Sequence, residues 1–84
     1  MFNNIGEVKA ANKRGGWFFF DEDKTRTDKR MELIDGRYLV VEVTDGANTR
    51  CPVYEVKPDG WITYTDTRPG WDEAVALAEE LAGA

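Results

Sequence analysis

Apolar and polar positions change their period partway along the chain. Up to Arg14 the apolar residues Ile5, Val8 and Ala11 recur at helical spacing, with Phe2 just ahead of them. Asn4 is placed to cap such a helix, Glu7 follows three residues on as in a capping box, and Gly15-Gly16 would stop it. The spacing predicts a helix over residues 3–14. Gly6 in the first turn weakens that helix, and a strand folding back onto residues 17–20 is the alternative.

Beyond Gly16 the pattern becomes that of strands. Aromatic and β-branched runs are cut by Asp35-Gly36, Asp45-Gly46 and Asp59-Gly60, and Asp-Gly between such runs is the strongest local hairpin signal. Strands are expected at residues 17–21, 31–34, 37–44, 49–57 and 61–65. In the third, Leu39, Val41 and Val43 share one side and Tyr38, Val40 and Glu42 the other, so the first set is the better core face. Tyr54 with Val56, and Ile62 with Tyr64, extend that face. Pro52 lacks a ladder donor, which suggests an edge strand or a bulge.

The final segment returns to helical spacing. Pro69 lies near its start, Asp72 and Glu73 fall in the first turn, and Ala74, Leu77, Ala78 and Leu81 form a stripe, with Trp71 expected beneath it. That stripe needs a sheet face to cover. The expected fold is therefore α+β: an antiparallel meander of four to five strands, a short N-terminal helix, and a C-terminal amphipathic helix packed on the sheet. Residues 1–84 read as one domain, because two cores would each be too small to offset chain entropy.

Composition narrows the chemistry. Histidine and serine are absent and Cys51 is the single cysteine, so no Ser-His or Cys-His relay and no thiolate or imidazole zinc site can be assembled within one chain. A non-enzymatic protein without a cofactor is the expectation. One cysteine also excludes an internal disulfide, which fits a reducing compartment, and no apolar run approaches bilayer length; a cytoplasmic setting without membrane contact follows as an expectation. The formal net charge of −5 repels phosphate backbones, so direct nucleic-acid binding is not expected.

Asp21, Asp23, Thr25, Thr27 and Glu32 have the spacing of the oxygen ligands in a calcium-binding EF-hand loop. Arg26 stands where that loop needs glycine, and Lys29 occupies its ninth position, so a charged connecting loop is the reading. Gly15-Gly16 is followed by a strand-like run, whereas a phosphate loop opens a helix.

What remains is aromatic excess. In a strand, Trp17 and Phe19 would point one way and Phe18 and Phe20 the other, so either helices cover both sheet faces or an aromatic patch awaits a partner. The leading expectation is an interaction module that binds another protein, or itself, through Trp17, Phe19 and Trp61. A second is capture of a small anionic ligand such as a nucleotide by aromatics with Arg26, Arg30, Arg37 or Arg50. A third is mimicry of nucleic acid by Asp21, Glu22, Asp23 and Asp28 with Asp72, Glu73, Glu79 and Glu80.

The string Ala11-Asn12-Lys13-Arg14-Gly15-Gly16-Trp17-Phe18-Phe19, followed by Asp23, Arg26 and Arg30, and Tyr54-Glu55-Val56 leading to Asp59-Gly60-Trp61-Ile62, resembles a pattern in small proteins of phages and their bacterial hosts. Residues 31–38 depart from it. The resemblance carries no activity; it implies a small accessory protein acting in a bacterial cytosol.

Overall fold

The Asp-Gly pairs set the frame of the sheet. The computed structural model describes residues 1–20 and 27–84. Arg37 N–H donates to the Ile34 carbonyl at 3.1 Å while Asp35 and Gly36 both take positive φ, 52° and 70°. Asp35 and Gly36 form the centre of a turn that, with Arg37 as a third connecting residue, joins β1 (Thr27–Ile34) to β2 (Tyr38–Asp45). Gly46-Ala47 connects β2 to β3 (Asn48–Val56), and the turn at Asp59-Gly60 leads to β4 (Ile62–Arg68). The order is β1-β2-β3-β4 with every neighbour antiparallel, the expected meander.

Both outer strands are bulged. In β1 the register shifts between Asp28 and Arg30; in β4, Tyr54 faces Tyr64 while Val53 faces Asp66, which leaves Thr65 as the extra residue. Bulges twist an outer strand and spoil it as a template for further pairing. Pro52 lies on an interior strand, so the edge half of its expectation is corrected and the irregularity half stands. Paired positions of β2 and β3 stop at Val40 with Val53 and resume at Val43 with Arg50, and the β4 bulge falls next to the same proline.

Two helices cover the two faces of the sheet. On one, Ala74 and Ala78 of α2 (Trp71–Gly83) are fully buried against Ile34, Tyr38, Val40, Cys51 and Val53. Small residues let this helix approach closely, and Trp71, Val75, Leu77 and Leu81 close its margins. On the other face Leu39, Val41 and Val43 join Val56 and Ile62 beneath Val8 of α1 (Ile5–Arg14). Leu39, Val41 and Val43 are core as expected, but Val40 is equally buried and Tyr38 nearly so. With α2 on one side and α1 on the other, residues 38–41 and 43 of β2 are buried, while Glu42 and Thr44 are half-buried.

Helix α1 begins as its sequence suggests. Asn4 Oδ1 accepts the Glu7 N–H at 2.9 Å, and Glu7 reaches back to the Asn3 N–H, also at 2.9 Å. It ends at Gly15. Residues 17–20 then do not form the expected strand, and Asn12 supplies the reason. Its main-chain carbonyl accepts the Trp17 N–H at 3.1 Å and its side-chain Oδ1 accepts the Phe19 N–H at 3.2 Å, so two donors that a ladder would need are taken by the end of α1. No helix among the described residues is long and apolar enough to cross a membrane.

Candidate functional site

Asn12 falls on the apolar stripe of α1, four residues after Val8, and is 2% exposed. A buried amide must find partners, and this one joins three segments. Nδ2 donates to the Gly60 carbonyl at 2.9 Å, while the carbonyl end holds the Phe19 N–H. Gly60 meets the helix at close range: φ is +94°, and a Cβ there would stand 2.7 Å from atoms of Ala11 and Asn12. Only glycine lets the β3–β4 turn approach this closely.

That junction places two distant tryptophans together. Trp17 lies over Gly15, where a Cβ would come within 2.5 to 2.9 Å of its ring atoms, and its centroid is 4.9 Å from that of Trp61 at an interplanar angle of 59°. Asp59 Oδ1 accepts the Trp61 N–H at 3.0 Å and fixes the turn that carries the second ring. Asn12, Trp17, Phe18, Phe19, Trp61 and Ile62 line a cleft of about 160 Å³. Phe19 forms its inner wall, packed edge-on against Phe20 and Tyr54, and Tyr54 meets Tyr64 in turn.

The rings divide into structural and exposed sets. Phe19 and Phe20 pack against the core although they are adjacent, which a strand would not allow. Phe18 is 65% exposed, Trp61 43% and Tyr64 62%, although both sheet faces have their helices. Tyr64 also holds its hydroxyl 2.7 Å from the Thr67 hydroxyl.

The structure thus brings Trp17, Phe19 and Trp61 to one cleft. It does not gather the arginines. The Arg30 guanidinium stacks on the Trp71 ring at 3.8 Å, on the α2 face. Arg50 faces Val43 next to the Arg30–Glu42 pair, so it belongs to the opposite face of the sheet. Arg37, at the far end of β2, donates to the Ala82 carbonyl at 3.1 Å. Arg26 lies outside the described residues, as do Asp21, Glu22, Asp23 and most of the calcium-loop spacing, while Glu32 is exposed on β1. Asp72, Glu73, Glu79 and Glu80 are exposed on α2. Among the described residues no three carboxylate or thiol side chains gather as a metal site would require.

A second cleft of about 310 Å³ opens beside Arg37, lined also by Phe2, Glu55, Val56, Lys57 and Pro58. Lys57 is paired there with Glu55 at 3.0 Å. Cys51 is fully buried, and that burial, seconded by the Glu42 carboxylate, pushes its thiol up from the ordinary range, while Arg30 pulls weakly the other way.

Asn12, Phe18 and Tyr64 were missing from the sequence-based site. For Asn12 the signal was an amide on an apolar helical stripe; for Phe18, strand alternation assigned a side but not exposure, while Tyr64, expected on the core face with Ile62, is exposed. Comparison of the chain with known protein families, characterised proteins and solved structures finds no match.

Proposed function

We propose that this protein is a non-enzymatic interaction module whose recognition surface is the cleft between Trp17 and Trp61, together with the exposed rings of Phe18 and Tyr64. The observation that carries the reading is the exposure of Phe18, Trp61 and Tyr64 after both sheet faces have been covered. Aromatic side chains of this kind bring large contact area at low entropic cost, and they dominate protein interfaces. A cleft of about 160 Å³ suits one inserted side chain, and lies below the roughly 300 Å³ at which small-molecule pockets begin. The bulges on β1 and β4 argue against recognition by strand addition, so the surface rather than a sheet edge is the site. An accessory role in a bacterial cytosol is the setting that the sequence resemblance suggests.

Site-specific photo-crosslinking tests this. A photoreactive phenylalanine at position 18 should give a discrete protein adduct in cells that make the protein, and the same group at Ala76, exposed on α2, should not. Adducts at both positions alike, or at neither, overturn the reading.

The cleft beside Arg37 supports a second reading, binding of a small anionic molecule. Its volume falls in the small-ligand range, and Arg37 supplies positive charge beside Phe2 and Val56, while Lys57 is balanced by Glu55. Thermal melting across a panel of nucleotides and carboxylates decides it, since a ligand at about a hundredfold its Kd adds about 2.7 kcal/mol. Unchanged melting curves remove it.

A further inference from the structure

Helix α1, whose Asn12 lines the aromatic cleft, differs in charge from the molecule that carries it. Helix α1 bears Lys9, Lys13 and Arg14 against the single Glu7, in a chain of net charge −5. Glu7 is engaged at the far end by Asn3. Lys13 and Arg14 are exposed in the last turn, between Asn12 on the cleft wall and Gly15 beneath Trp17. Lys9 Nζ lies 5.5 Å over the Phe20 ring. None of the three is ion-paired to a described carboxylate. Among the described acids the nearest in sequence to the cleft is Asp59, whose Oδ1 accepts the main-chain N–H of Trp61.

Resting on the reading of the cleft as a recognition surface, we infer that its occupant is a segment of a different protein: one apolar anchor side chain flanked by acidic residues. The volume admits a single anchor. Chain that precedes or follows that anchor runs past the basic last turn of α1, and carboxylates are the complement of its cations. Charge also sets a second copy of this chain aside. Meeting cleft to cleft would oppose the same cations. A nucleic-acid strand would meet the net negative field along its whole length, whereas a short peptide meets only the α1 end.

Blocked peptides with a central phenylalanine flanked by Asp-Glu, Gly-Ser or Lys-Arg provide the probes, and the indole N–H resonances provide the readout. Trp17 and Trp61 report the cleft; Trp71, on the α2 face, is the internal control. The Asp-Glu peptide should shift Trp17 and Trp61, leave Trp71 in place, and bind about tenfold tighter than the Gly-Ser peptide at low salt, with the preference shrinking as salt rises. Lys13→Glu with Arg14→Glu, both at exposed positions, should abolish the preference without unfolding the chain. Equal or tighter binding of the Gly-Ser or Lys-Arg peptide overturns the acidic partner and leaves the cleft as a recognition site. If no peptide moves Trp17 or Trp61, both readings fall. Tighter binding of single-stranded oligothymidine, or a photo-adduct of twice the chain mass, overturns the inference in favour of nucleic acid or self-association.

Discussion

Asn12 donates its side-chain amide to the Gly60 carbonyl at 2.9 Å, across 48 positions of sequence. Through this bond a helix, an irregular segment and a hairpin turn converge, and the Trp17–Trp61 pair is built on their meeting point. Asn12→Ala leaves a buried carbonyl and the Phe19 N–H without partners, and should cost about 2–3 kcal/mol. Gly60→Ala forces positive φ on a residue with a Cβ and drives that Cβ into Ala11, for a loss of about 3 kcal/mol. Urea unfolding of the two variants measures both losses, and the spectral signature of the coupled indoles should weaken with them.

Arg37 performs for α2 a task that α2 cannot perform itself. The last turn of the helix carries no basic residue, and the Arg37 guanidinium reaches the Ala82 carbonyl from the β1–β2 turn. Arg37→Ala should lower stability by about 1 kcal/mol and speed amide exchange in the final turn of α2 more than elsewhere. Arg37→Lys should restore only part of the loss, because the planar fork is missing.

Helix α2 starts without a side-chain cap. Gly70 sits at the capping position with φ −121° and ψ 153°, an extended geometry that any residue adopts. A Cβ there meets only the mobile Glu73 carboxylate, at 3.1 Å. Gly70→Ser should therefore stabilise the protein by about 0.5–1 kcal/mol, read as a rise in melting temperature.

Cys51 ties stability to alkaline pH. Because burial raises the thiol above its ordinary value near 9, the unfolded chain loses this proton first, and stability falls as pH climbs through that value. Cys51→Ala should flatten the decline above about pH 9 while lowering stability at pH 7 through the cavity it leaves. In native buffer the wild-type thiol should stay unreactive toward alkylating agents until denaturant opens the core.

The parts of this architecture legible in sequence are those governed by local chemistry. Asp-Gly marked the hairpins because positive φ is a property of the residue, and the Ala74, Leu77, Ala78, Leu81 stripe marked α2 because one face had to be buried. Residues 17–20 were misread as strand because their composition matches one, while the competing hydrogen bonds come from Asn12 and depend on where α1 ends. Pro52 suggested an edge strand because its missing donor is a local fact, whereas its interior position is set by β4 folding back against β3. Trp17 and Trp61 were both legible as binding candidates; that they meet was not, since their contact depends on the approach of Gly60 to Ala11. The arginines looked like a set in the sequence, but sheet register places Arg30 and Arg50 on opposite faces.

On the proposed reading, the outer rings of the aromatic cleft serve recognition and contribute little to folding. Unfolding of Phe18→Ser against the wild type in urea tests it most directly. With Phe18 65% exposed, the account predicts a change in unfolding free energy within about 0.5 kcal/mol, accompanied by loss of the Trp17 and Trp61 shifts on peptide addition. A loss of about 2 kcal/mol or more would show that Phe18 belongs to the core and is not a recognition surface.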